Sequence, residues 1–209
     1  MIVFPKSTEY GKTLPKAKLF EQEGIRGKIR TVITDDVLKI TIANKLADET
    51  LNIDTGKIFP EILVLKIALK NRAFNEKVLD AIDKGIRAAF VLFVLEYEGE
   101  QKLSIAFKDK IGDKITLAKR WTTEWVSDLE LEIEGRSIDA VYEGFIRQIS
   151  SGTLIKDTNK SLKEKIVCII NAEKIEKEIS RLETKMKNEK QFNKKLKIKT
   201  EIKKLKEQL

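Results

Sequence analysis

Ala88-Ala89-Phe90-Val91-Leu92-Phe93-Val94-Leu95-Glu96-Tyr97 is the most apolar segment of the chain and the key to its architecture. Its apolar run, Ala88 to Leu95, is eight residues long, far short of the ~20 that span a bilayer. It predicts a strand apolar on both sides, set in the middle of a sheet with both faces covered. Glu98-Gly99-Glu100 then makes a tight turn, and Leu103, Ile105 and Phe107 alternate on a returning strand. A second turn at Gly112-Asp113 leads to Ile115, Leu117 and Trp121. This three-strand meander anchors the rest.

Upstream, Ile25, Ile29, Val32 and Ile33 fall at helical spacing, and Leu38, Ile40 and Ile42 alternate after Thr34-Asp35-Asp36. Asp54-Thr55-Gly56 reads as a turn, and Ile58 to Leu69 alternates on Ile62, Val64 and Ile67. Asn75 is placed to cap a helix with the apolar face Val78, Leu79, Ile82 and Ile86 and with Gly85 near its end. Downstream, Ser137 caps a helix with Ile138, Val141, Phe145 and Ile149 on one face, closed by Ser150-Ser151-Gly152. That glycine is the last in the chain, the last proline is Pro60, and from about Ser161 onward nothing breaks a helix. Ile175, Ile179, Leu182 and Met186 step by four, three and four, the spacing of a helix-association seam. The phase then slips before Phe192, Leu196, Ile202, Leu205 and Leu209, so the helix either carries a stammer or folds back near residues 188–193. The expected fold is α+β: a mixed, mostly antiparallel sheet of about five strands with packed helices over 1–152. A long C-terminal helical, coiled-coil-like extension follows over 153–209.

Composition narrows the chemistry. The 209 residues include no histidine and one cysteine, Cys168. No Ser-His-Asp or Cys-His nucleophile system is possible, nor a histidine metal triad, an internal disulfide or a zinc cluster. No Gly-X-X-X-X-Gly-Lys-Thr loop or Gly-X-Gly-X-X-Gly fingerprint occurs, so nucleotide hydrolysis is not expected. Carboxylate-metal, lysine or tyrosine chemistry survives, or no chemistry at all. No catalytic residue, metal site or cofactor is assigned. The opening Met1-Ile2-Val3-Phe4-Pro5-Lys6 lacks the basic and apolar regions of a signal peptide, and a cytoplasmic protein without membrane association is the expectation.

The net charge of +8 is uneven. Lys156 to Leu209 holds 17 basic and 9 acidic residues, whereas the body before it holds 24 of each. Lys185, Lys187, Lys190, Lys194, Lys195, Lys197, Lys199, Lys203, Lys204 and Lys206 make a dense cationic surface on one or two helical segments. Lysines of this kind bind phosphates without reading bases. The same pattern suits a helix that binds a partner protein or that exposes its lysines to solvent, and homo-oligomerisation through the C-terminal helix stays open beside both.

Three further groups invite a functional reading. Glu100-Gln101-Lys102, with Asp80 or Asp83 upstream, has the residue types of a metal-dependent nuclease, in which two carboxylates converge on Mg²⁺ and a lysine stabilises developing charge. Glu100, however, falls in a predicted turn. Glu96, at the end of the buried strand, is a second candidate carboxylate. Trp121 and Trp125, beside Lys119-Arg120, have the spacing of a base-stacking platform, but the acids that begin at Glu124 favour packing instead. Glu124 to Glu143 carries seven acids and one arginine, an acid-rich edge that suits either solvent or a basic partner.

Six stretches carry a family resemblance: Phe-Pro-Lys-Ser-Thr-Glu at 4–9, Lys-Leu-Ala-Asp-Glu-Thr-Leu-Asn-Ile at 45–53, Val-Leu-Phe-Val-Leu-Glu-Tyr-Glu-Gly at 91–99, Thr-Glu-Trp at 123–125, Asp-Ala-Val-Tyr-Glu-Gly-Phe-Ile-Arg-Gln-Ile at 139–149 and Glu-Lys-Gln-Phe-Asn at 189–193. They resemble an uncharacterised prokaryotic family, domain of unknown function 4391. The resemblance brings no catalytic motif. It implies a place beside helicases and DNA methyltransferases in mobile or restriction-like defence loci, and hence a larger helicase, nuclease or methyltransferase subunit as partner. The leading expectation is a non-enzymatic accessory subunit of a DNA-targeting, anti-phage system that docks on that partner. The alternatives are a metal-dependent nuclease subunit and a stand-alone nucleic-acid-binding adaptor.

Overall fold

The computed structural model describes residues 4–21, 25–112, 114–150, 162–189 and 191–207. The chain divides into two units, Met1–Ile155 and Lys156–Leu209. The first is organised on one six-stranded sheet in sequential order: β1 (Glu9–Thr13), β2 (Val37–Ala47), β3 (Glu61–Leu69), β4 (Phe90–Tyr97), β5 (Glu100–Ile111) and β6 (Lys114–Thr122). Only β3 and β4 run parallel, which makes the sheet mixed and mostly antiparallel. Parallel neighbours need a crossover, and the segment containing α4 (Lys77–Gly85) supplies it.

The sixth strand, β1, has no sequence signature. Every residue of Glu9-Tyr10-Gly11-Lys12-Thr13 is exposed, so no apolar alternation marks it, and pairing with β2 defines it. β3 opens at Glu61 rather than Ile58, because Pro60 has no N–H to give to a ladder. Asn75 acts one step before α4: its Oδ1 accepts from the Lys77 N–H at 3.1 Å. The second-turn residue Asp113 and the expected helix stop at Gly152 lie outside the described residues, as does the 152/153 boundary.

β4 is buried from Phe90 to Leu95, as a central strand with two covered faces must be. On one face Val91, Phe93 and Leu95 join Leu65, Ile67 and Leu69 of β3. Above them lie Leu19 of α1 (Lys16–Phe20), Ile33 of α2 (Lys28–Asp36), and Val78, Leu79 and Ile82 of α4. On the other face Tyr142 of α5 (Ile138–Ile149) stacks on Phe90 at 3.8 Å between ring centroids, and Phe59 meets Phe90 edge-on at 4.8 Å. Ser137 caps α5 as its position predicts, its Oγ accepting from the Ala140 N–H at 3.3 Å.

Two of the stretches that carry the family resemblance form one interlocked corner. Thr8 Oγ1 donates to the Pro5 carbonyl and accepts from Asn44 Nδ2, at 2.7 and 2.9 Å, while Ser7 Oγ donates to the Thr50 carbonyl at 2.8 Å. The Ala47 N–H donates to Thr50 Oγ1 at 2.8 Å, which fastens α3 (Asp48–Leu51) to the end of β2.

The second unit is a helical hairpin. α6 (Leu162–Asn188) and α7 (Phe192–Lys206) are joined by residues 189–191, so the chain folds back inside the interval where the apolar phase slips. Ile179 and Leu182 of α6 bury against Ile198 and Ile202 of α7, with Ile175, Met186 and Leu205 at the margins. The seam read from the sequence thus meets the chain's own last segment.

Candidate functional site

α4 has two working stripes. Val78, Leu79 and Ile82 face the apolar core. Glu76, Asp80 and Asp83, spaced four and three residues apart, meet the polar end of the same sheet face, where β5 and β6 carry Lys102, Ser104, Lys108, Arg120 and Thr122. Register puts these groups together: Phe93 sits opposite Ser104, Ser104 opposite Thr122, and Ala106 opposite Arg120. Between Ala106 and Lys108 the ladder shifts by one residue, with the extra residue on β6.

The sequence singled out Asp80 and Asp83, and the fold does bring them together, on a guanidinium. Arg120 Nε donates to Asp80 Oδ1 at 2.7 Å, Nη2 to Asp83 Oδ2 at 3.0 Å and Nη1 to Ser104 Oγ at 3.3 Å. Its plane also lies over the Phe93 ring, 5.2 Å from the centroid. This is the fork geometry that arginine provides and lysine does not. Lys102, the lysine of the nuclease-like triplet, donates to Glu76 Oε1 at 2.8 Å, and Thr122 Oγ1 donates to Glu76 Oε2 at 2.9 Å.

Lys108 is the residue that sequence reading missed. Its ammonium is fully buried and donates to the carbonyls of Asp83 (2.9 Å), Ala89 (2.7 Å) and Ile86, at and just beyond the C-terminal end of α4. Three protons meet three acceptors, and the positive charge sits at the negative end of the helix. Asp83 Oδ1 lies 3.1 Å from the same nitrogen. Burial pushes the Asp83 carboxyl above its ordinary value against the opposing pull of Lys108 and Arg120. Burial likewise lowers the Lys108 ammonium, with Asp83 opposing. Tyr142, raised well above its usual value mainly by burial, donates its hydroxyl to the Ala106 carbonyl. One signal was available: three acids at helical spacing facing Lys102, Ser104 and Lys108 at alternate strand positions.

Glu96 and Glu100 lie at the β4–β5 hairpin. Glu96 Oε1 accepts from Gln101 Nε2 at 2.9 Å and is 3.2 Å from Lys66 Nζ, while Glu100 Oε2 pairs with Arg72 at 3.0 Å. Among the described residues no group of three or more Cys, Asp or Glu could hold a metal ion. Trp121 is buried with Lys119 over its ring, and Trp125 packs edge-on to Tyr97 at 6.5 Å, so the two indoles serve packing. In the acid-rich stretch Glu130, Glu132 and Glu134 are exposed around buried Leu131, and the Gln148 side chain holds both the N–H and the carbonyl of Glu132.

The tail lysines occupy the hairpin. Lys185 and Lys187 end α6, and Lys194, Lys195, Lys197, Lys199, Lys203, Lys204 and Lys206 lie on α7; all nine are exposed. Lys190 lies outside the described residues. α7 carries seven lysines and one acid, Glu201. Its buried seam, Ile198 and Ile202, separates two lysine flanks by helical spacing: Lys194, Lys197 and Lys204 on one side, Lys195, Lys199, Lys203 and Lys206 on the other. Among the described residues no helix is long and apolar enough to cross a membrane.

Fold and surface together define an α+β protein with a basic helical hairpin. A family model, domain of unknown function 4391, matches residues 2–209, and the chain belongs to that family. Neither the curated proteins nor the solved structures gave a match.

Proposed function

We propose that the protein is a non-enzymatic accessory subunit of a prokaryotic DNA-targeting system, one that docks on a larger helicase, nuclease or methyltransferase and touches nucleic-acid phosphates through α7. The observation that carries this reading is the density of exposed lysine on one 15-residue helix, seven lysines against one acid. α7 offers phosphates a row of point charges and has one asparagine and no arginine or glutamine within it to read base edges. Binding is therefore weak, indifferent to sequence and strongly dependent on salt.

Fluorescence anisotropy on a labelled duplex, titrated at several salt concentrations, tests this. The slope of log K against log salt should flatten by up to about 0.9 for each phosphate contact removed in the triple variant Lys194→Gln, Lys197→Gln, Lys204→Gln. Absence of binding at low salt, or a slope that the triple variant leaves unchanged, refutes the nucleic-acid part of the proposal. A role in docking would then stand alone, to be tested by co-purification with the neighbouring gene products.

A further inference from the structure

The buried cluster between α6 and α7 is small among the described residues: Ile179, Leu182, Ile198 and Ile202. Beside it runs an open groove of about 780 Å³, with Met186 and Ile202 among its apolar residues and Leu196 on the α7 side. Leu196 is 55% exposed, which is high for a leucine set at the edge of an apolar groove. The rim carries both signs: Lys199, Lys203 and Lys206 from α7, with Glu183 from α6 and Glu207 beyond α7. Lys206 and Glu183 pair within the chain at 3.1 Å, but both are about half exposed, and a pair of that kind contributes little and exchanges partners readily.

From this we infer that the groove is the contact surface for a second copy of the chain, formed by hairpins related by a two-fold axis. A two-fold contact must be self-complementary, because each copy presents the same patch to the other. A rim of lysine alone would repel its own image. With Lys199 and Lys203 on the α7 wall and Glu183 on the α6 wall the rim attracts its image when the two-fold axis runs along the groove, which sets each wall against its opposite. The apolar centre supplies the attraction: Leu196 of each chain leaves water, and apolar area is added beside the cluster of Ile179, Leu182, Ile198 and Ile202. Small helical units commonly need such a gain. The buried part of the seam, Ile179 and Leu182, is not the contact, because α7 of the same chain already covers it; Met186 at its margin belongs to the groove. The flank Lys194, Lys197 and Lys204 lies on the other side of α7, so phosphate binding there and self-association here are separate properties.

Sedimentation velocity of the full chain over a concentration series up to about 100 µM, without nucleic acid, reads the result directly, since interfaces of modest size assemble in the micromolar range. The wild type should form a dimer. Leu196→Gln should raise its dissociation constant about tenfold or more while circular dichroism and melting, read at a dilution where both proteins are monomeric, stay unchanged, because the side chain lies outside the buried seam. Lys203→Glu should weaken it too, by placing acid against acid. A wild type that stays monomeric throughout overturns the inference, as does a dimer that neither substitution weakens. Association that appears only when duplex DNA is added assigns the contact to DNA and overturns it equally. The Lys194, Lys197, Lys204 variant, which tests the proposed function, should leave the dimer intact, so either conclusion can fail without the other.

Discussion

Lys108 lies 3.1 Å from the Asp83 carboxylate, yet its three hydrogen bonds go to the backbone carbonyls of Asp83, Ile86 and Ala89. The lysine is therefore a buried cap on α4 as well as an ion-pair partner. Asp83 needs both neighbours: Arg120 donates to Oδ2, and Lys108 balances the charge near Oδ1 without spending a proton on it. Removing either cation leaves a fully buried carboxylate short of positive charge.

Lys108→Met should lower stability by about 3–5 kcal/mol, the usual cost of breaking a buried pair. The loss should depend on pH with a definite sign. Burial already holds the Asp83 carboxyl above its ordinary value of 3.8, and losing the ammonium moves it further up. A folded-state value above the unfolded one means that the native state holds the proton more tightly. Stability of the variant then declines as pH rises from the unfolded carboxylate range through the folded-state value. Urea unfolding across that range should find the variant closest to wild type at its acid end, and a pH-independent difference would contradict the assignment.

Arg120→Lys and Asp80→Asn should differ sharply although they touch the same hydrogen bond. A lysine cannot span Asp80, Asp83 and Ser104 at once, and we expect a loss of about 2–3 kcal/mol. Asp80 is 45% exposed and gives up only one surface-facing partner, a loss of about 0–1 kcal/mol. Equilibrium denaturation of the two variants measures the contrast. Equal losses would mean that Arg120 acts through Asp80 alone.

Leu182→Asp should unravel the hairpin. Leu182 is buried between α6 and α7, and an unpaired carboxylate in that position costs several kcal/mol, order of magnitude. Hydrogen exchange resolved along the chain should show protection lost over 162–207. Protection unchanged there would show that the seam does not hold the two helices together. Truncation after Asn188 is a poor test of the lysines for the same reason: it strips α7 from the seam and exposes Ile179 and Leu182. The neutralising variant keeps the helix.

Gly135→Ala should cost about 1–3 kcal/mol. Gly135 adopts φ +137°, and a Cβ there would lie 2.8 Å from the Ala140 Cβ and 2.9 Å from the Val141 nitrogen, at the start of α5. A thermal melt indistinguishable from wild type would show that this turn relaxes freely.

Much of the architecture was legible because burial leaves periodic marks. The doubly apolar run Ala88 to Leu95 placed β4 in the middle of a sheet, and the alternation Leu103, Ile105 and Phe107 placed β5 beside it. The step of four, three and four from Ile175 to Met186 marked a helix seam, and the absence of histidine removed whole classes of chemistry. A strand exposed on both faces leaves no such mark, which is why β1 emerged only from its pairing with β2. Whether α6 and α7 form one helix or two was undecided by spacing, and the return of Ile198 and Ile202 onto Ile179 and Leu182 settled it. The charged cluster was least legible of all. Asp83, Lys108 and Arg120 are separated in the chain by 25 and 12 residues, and the helical and strand spacing that marks the first two does not tell a buried cluster from a charged surface. Only the crossover of α4 and the β5–β6 register carry them to one buried point, where the cost of desolvation makes each depend on the others.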